Sequence, residues 1–222
     1  MGVCVLFSGG KDSTYAVYLA KKLGYNVNCL ISVYSENLES YMFHTPSIKQ
    51  VEKQAKVMKI PLLVVKTKGE KEVELNDLKK AISDAIKKYK IKGIVTGAVE
   101  SVYQATRVQE ICNKLNIECY NPLWQKNQID ILNELIKNRF NVIITGVFAY
   151  PLGKADLGKK IDKDFIRDMK ILEKKFMINP AGEGGEFESF VLNSPIFIRG
   201  LKVKSFIDSG KDYSWNREIE VE

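Results

Sequence analysis

The chain has 222 residues, 45% hydrophobic and 27% charged, enough apolar material for a buried core, which excludes a disordered or fibrous chain. Lysine and arginine number 34 against 27 aspartates and glutamates, a net charge of +7; the pairs Lys79-Lys80, Lys87-Lys88 and Lys159-Lys160 fall on predicted helix faces and read as solvated surface, with attraction to an acidic partner or nucleic acid as the other reading. No apolar run is long enough for a membrane span, no leader pattern precedes the first strand, and the four cysteines form no C-x-x-C pair, so a cytoplasmic protein with no membrane partner and no zinc site is expected.

In chain order, Val3 to Phe7 predicts a first strand, followed by Ser8-Gly9-Gly10-Lys11-Asp12-Ser13 and a helix over Thr14 to Leu23. Asn26 to Val33 predicts a second strand, and the loop after it holds Tyr41-Met42-Phe43-His44-Thr45-Pro46, with the only histidine. A helix over Ile48 to Met58, a strand over Leu62 to Val65, an amphipathic helix over Leu75 to Tyr89 and a strand over Gly93 to Thr96 come next. Strand and helix alternate regularly, the pattern of a parallel, doubly wound sheet.

Beyond Gly97 a helix carries Tyr103, Gln104, Arg107 and Glu110; positions 103, 107 and 110 share one face, polar for a place at the ligand edge of such a sheet. Leu115 to Tyr120 resumes the β pattern, and the boundary between halves is expected near Trp124 to Lys126. The second half predicts a helix over Asn127 to Lys137, a strand over Phe140 to Ala149 and a helix over Lys163 to Lys174. A glycine cluster, Gly182-Glu183-Gly184-Gly185-Glu186-Phe187-Glu188-Ser189, then precedes β runs over Phe190 to Leu192, Ile196 to Ile207 and Ile219 to Val221.

The two glycine clusters carry the chemistry. Strand, glycine turn and helix N-terminus together form an anion site, because successive N–H groups and the helix dipole point at the same place. Gly9 and Gly10 are expected to turn with positive φ, Ser8 and Ser13 to donate hydroxyls, and Lys11 to supply charge from an exposed turn. Asp12 beside an anion makes sense if Mg²⁺ bridges it to phosphates. The spacing excludes a Walker A loop and a G-x-G-x-x-G dinucleotide loop. In the second cluster, Glu183, Glu186 and Glu188 repel one another unless something cationic meets them.

Ser-Gly-Gly-Lys-Asp-Ser resembles the PP-loop of the N-type ATP pyrophosphatases, which cleave ATP between its α- and β-phosphates. With the segment Met42 to Pro46, Gly97 with Ser101, Tyr103, Gln104 and Arg107, Pro122-Leu123-Trp124 and the segment Gly182 to Ser189, the chain resembles the diphthine-ammonia ligase family of that superfamily. The resemblance implies an α/β fold: a doubly wound, mostly parallel sheet of the adenine nucleotide alpha-hydrolase-like kind, with a smaller α+β C-terminal domain. Residues 1–125 would be the PP-loop ATP-binding domain and 126–222 the substrate-binding domain. It further implies ATP and Mg²⁺ as cofactors, ammonia as nitrogen donor, and a diphthine-modified translation elongation factor as partner. Nucleic acid is not expected as a partner, and a homodimer stays open.

By the same resemblance Lys11, Asp12 and Glu186 are the catalytic candidates. Ser8, Gly9, Gly10, Lys11, Asp12, Ser13, His44 and Gly97 bind nucleotide, and Asp12 binds metal. Tyr103, Gln104, Arg107, Glu183, Gly184, Gly185, Glu186 and Glu188 bind the acceptor, with Glu186 expected to face the cationic trimethylammonium of diphthine, ammonium or a metal. Two alternatives remain at this level: a tRNA-modifying ATP pyrophosphatase and a non-enzymatic ATP-binding regulator.

Overall fold

A computed structural model describes residues 1–35, 50–68 and 73–222. The predicted His44 and the segment Met42 to Pro46 lie outside the described residues. The chain divides into two compact units, the first from the described residues of Met1–Ser8, Asp12–Thr45 and Met58–Trp124, the second from those of Gly9–Lys11, Pro46–Val57 and Gln125–Glu222.

The first unit is α/β. Strands β1 (Gly2–Leu6), β2 (Asn26–Ser35), β3 (Leu62–Thr67), β4 (Gly93–Val95) and β5 (Glu118–Tyr120) pair in the order β3-β2-β1-β4-β5. Every pairing is parallel, as strands joined by helical crossovers require. The crossovers include α1 (Lys11–Lys22), α3 (Val73–Tyr89) and α4 (Val102–Leu115). Helix α3 buries Leu78, Ala81, Ile82 and Ala85 in one cluster with Val33, Ile94, Val108 and Cys112, and Leu75 and Ile86 of the apolar face read from sequence pack against it partly buried. Cys4 and Cys29 lie opposite each other in β1 and β2 at 0% exposure, and burial pushes the Cys4 thiol well above its ordinary range. Both act as small hydrophobes.

The second unit carries α2 (Val51–Met58) through Val57, α5 (Gln128–Lys137) and α6 (Lys163–Phe176), with an antiparallel sheet of β6 (Asn141–Val147), β7 (Phe187–Asn193), β8 (Val203–Lys211) and β9 (Ser214–Val221) in the order β7-β6-β9-β8. Asn127 and Asp162 cap α5 and α6, accepting from the backbone N–H of Asp130 at 3.1 Å and Phe165 at 2.9 Å. Phe165 of α6 meets Phe187 of β7 edge to face, ring centroids 5.6 Å apart.

Three sequence expectations are corrected. The first helix begins at Lys11 rather than Thr14. Leu115 ends α4 instead of opening a strand, because Asn116 takes the left-handed conformation (φ 54°) that closes a helix. The β run expected from Ile196 starts only at Val203, since Phe197 N–H donates back to the Ser194 carbonyl in a turn.

Candidate active site

In the first unit the strand order reverses between β1 and β4, the switch point beyond whose carboxyl ends open α/β sheets bind ligands. The loops leaving β1 and β4 there are the ones that carry Ser8 to Ser13 and Gly97. Ser8 and Ser13 are tied together, the Ser8 N–H donating to Ser13 Oγ at 3.2 Å with the two hydroxyls 3.1 Å apart. A Cβ on Gly97 would stand 2.8 Å from both Asp12 C and Ser13 N. Backbone therefore packs directly on backbone, which explains a glycine at the tip of β4.

Gly97→Ala is accordingly expected to displace the first turn of α1. A misplacement of this size typically lowers a positioned reaction roughly 10- to 100-fold. AMP release by the variant, with its melting temperature as control, checks this; a variant as active as the parent would remove Gly97 from the site.

On α4, Ser101 is the N-cap, its side chain accepting from Gln104 N–H at 3.4 Å. Arg107 lies over the Tyr103 ring at 5.4 Å and pairs with Glu110 at 3.2 Å. The polar face expected from sequence is thus formed, and its cation is already engaged along the helix.

Of the two loop glycines, only Gly9 has a positive φ (+82°), which corrects the expectation for Gly10. Its geometry is held within the second unit. The Gly9 carbonyl accepts from Val191 N–H at 3.1 Å and from Gln54 Nε2 at 2.9 Å, and the same Nε2 reaches the Val191 carbonyl at 2.8 Å. A Cβ on Gly9 would stand 2.4 Å from Gln54 Oε1, so glycine is required twice over, for its φ and for space.

Lys11 is 4% exposed, not on an exposed turn as the sequence suggests. As the first residue of α1 it turns its stem inward, with Nζ 5.4 Å from the Phe187 ring centroid. Its backbone N–H donates to Ser189 Oγ at 3.2 Å. One hydrogen bond thereby joins the Ser8–Ser13 loop to the end of the second glycine cluster.

Within that cluster Glu186 is 7% exposed. Its Oε1 accepts from Asn179 N–H and Nδ2, and Oε2 from Gly184 N–H, all at 2.8 Å. Asn179 Oδ1 in turn accepts from Gln128 Nε2 at 3.1 Å, while Gln128 Oε1 accepts from Ala181 N–H at 3.0 Å. These contacts fill three of about four carboxylate lone-pair sites. Glu186 thus closes its own loop, with about one acceptor site not filled by these contacts. Glu183 and Glu188 are half-buried beside it, and Gly184 and Gly185 form the exposed tip.

Sequence reading passed over Gln54, Gln128 and Asn179. Gln54 had a signal: it stands three residues after Val51 and four before Met58, a polar residue inside an apolar helical stripe. Among the described residues no group of three His, Cys, Asp or Glu side chains could hold a metal by itself. The single carboxylate of Asp12 suits Mg²⁺ only as an ion that phosphates also hold.

The family described as "Diphthamide synthase N-terminal domain" matches residues 1–119, and "Diphthamide synthase C-terminal domain" matches residues 127–219. Diphthine–ammonia ligase of Bos taurus is 33% identical over 229 residues, covering 92% of this chain and 84% of that protein. The Schizosaccharomyces pombe diphthine–ammonia ligase is 32% identical over 217 residues, covering 90% of this chain but 36% of the yeast protein. A tRNA-5-methyluridine(54) 2-sulfurtransferase of Pyrococcus horikoshii is 42% identical, but only over 71 residues, 30% of this chain. With both of its halves matched, the chain belongs to the diphthamide synthase family.

Proposed function

We propose that this protein uses ATP to convert the carboxylate of diphthine, on the translocating elongation factor, to the amide of diphthamide with ammonia in the cytoplasm. The observation that carries the reading is the Lys11 N–H to Ser189 Oγ bond. It fixes the loop shared by ATP pyrophosphatases to the segment that marks this family. Relatives named for the same reaction, similar over 92% and 90% of this chain, support it.

In this reading Ser8, Gly9, Gly10, Lys11 and Ser13 hold the β- and γ-phosphates through N–H, hydroxyl and ammonium donors. Asp12 would be the residue to hold Mg²⁺, which when bound would supply positive charge to offset that of the departing pyrophosphate. The diphthine carboxylate oxygen attacks the α-phosphorus, and the bond to the β-phosphate bridge breaks. Ammonia then attacks the acyl carbon, AMP leaves, and one proton is released. No side-chain nucleophile takes part, so catalysis rests on positioning and electrostatics. Tyr103, Gln104 and Arg107 of the first unit are assigned to the acceptor, as are Glu183, Gly184, Gly185 and Glu188 of the second, and Glu186 shapes the loop on which these last four stand.

The test is incubation with ATP, ammonium and the diphthine-bearing factor, followed by phosphorus NMR and mass spectrometry of the factor. AMP, pyrophosphate and a carboxylate-to-amide mass change are expected. ADP and phosphate would reject the loop assignment, and AMP formation with an unmodified factor would reject the acceptor.

A further inference from the structure

The second unit holds a cavity of about 480 Å³ lined by four cationic residues, Lys53, Lys56, Arg199 and Lys202, together with Glu222. Its frame is backbone. Ile198 N–H donates to the Val57 carbonyl at 2.9 Å, Leu201 N–H to the Leu192 carbonyl at 2.7 Å, and Lys202 and Glu222 exchange two bonds of 3.0 Å. The Lys53 ammonium donates to the Val221 carbonyl, which engages one of its three protons. Among the described residues none of these four cations forms an ion pair with a carboxylate, Glu222 included. Like charges gathered around one space repel, and a multivalent anion entering that space turns each repulsion into an attraction.

We infer that this cavity is a second anion site, separate from the Ser8–Ser13 loop, that binds a compact ligand bearing clustered phosphates, such as an inorganic polyphosphate or a nucleoside polyphosphate. Four positive charges match the several negative charges of a di- or triphosphate better than the one of a carboxylate. Arg199 adds a planar fork suited to phosphate oxygens, and the lysines act as point charges. The volume is that of a small-molecule pocket rather than of a groove that tracks a polymer. On the N-terminal side the 199–202 segment is bounded by the apolar, 62% exposed Ile198, while exposed Lys204 follows Val203 on the other. The site also abuts the helix that steadies the first loop. Lys53 and Lys56 flank Gln54, whose amide holds the Gly9 carbonyl.

Calorimetric titration of the full chain with inorganic triphosphate at about 0.15 M ionic strength, where surface attraction is already screened, tests this. Lys56→Glu/Arg199→Glu is expected to weaken one class of triphosphate site about tenfold or more, while Lys11→Met leaves that class unchanged. Both substituted side chains of the pair are exposed, so the melting temperature should hold; if it does not, Lys56→Gln/Arg199→Gln repeats the measurement with charge removed rather than reversed. Superimposable isotherms for parent and folded charge variants would overturn the site. A single-stranded RNA of about a dozen nucleotides is the competing probe. Displacement of triphosphate by that RNA, with a log–log salt slope steeper than about −3, beyond what four phosphate contacts give, would overturn the small-molecule assignment.

Discussion

Replacement of Lys11 by alanine or by methionine is expected to lower AMP formation about 10²- to 10³-fold, the usual cost of removing one preorganised charge from a site where negative charge develops. The structure makes two variants necessary. Lys11 is 4% exposed, and its ammonium sits over Phe187, so alanine deletes packing as well as charge. Methionine keeps most of the stem. Lys11→Met should therefore melt within a few degrees of the parent and be as inactive as Lys11→Ala, whereas the alanine variant should also lose about 1–2 kcal/mol of stability. Steady-state AMP release and thermal melting of the two together separate charge from packing. Parental turnover by Lys11→Met would remove the ammonium from the mechanism.

Glu186→Gln is expected to affect both stability and amidation. The carboxylate accepts three bonds of 2.8 Å, and a carboxamide can present an oxygen to only one side, which turns an N–H toward the donors on the other. Hydrogen bonds to a charged group contribute about 1.5–3 kcal/mol each, and a buried donor left unpaired costs a similar amount. The variant should lose roughly 2–4 kcal/mol, a fall in melting temperature of about 4–16 °C for a chain of this size. Amidation should fall about tenfold or more, with the KM for ATP little changed.

Asn179→Ala distinguishes the two possible roles of Glu186. It removes the Nδ2 donor to Glu186 and the acceptor for Gln128, so a loop-closing role predicts a smaller loss in the same direction. Direct substrate contact by Glu186 predicts no loss in Asn179→Ala at all. The split between kcat and KM for the modified factor, measured in both variants, decides between them.

The legible part of this fold lay in local pattern. Apolar runs of period two and stripes near period 3.6 are imposed by which face a short segment buries, and they placed the strands of the first unit, the amphipathic α3 and the helices α5 and α6 within a few residues. The Ser8–Ser13 loop was legible for the same reason: strand, glycine turn and helix N-terminus are consecutive in sequence, although distant residues hold Gly9 and Lys11 in place. Boundaries failed where a turn competed with propensity, as at Asn116 and in the apolar stretch 196–202.

What only the tertiary structure decided are contacts that span long stretches of chain. Lys11 is joined to a residue 178 positions away, and Gln54 reaches across 45 positions to Gly9 and 137 to Val191. No local periodicity encodes such a partner. That is why Lys11 reads as an exposed cation in sequence and is a buried one in the fold. Glu186 differs again: its partners Asn179 and Gly184 are near in sequence, yet a carboxylate among glycines reads equally as a cation site or a loop closure. Only the tertiary structure shows the carboxylate turned inward onto N–H groups that burial would otherwise leave unpaired.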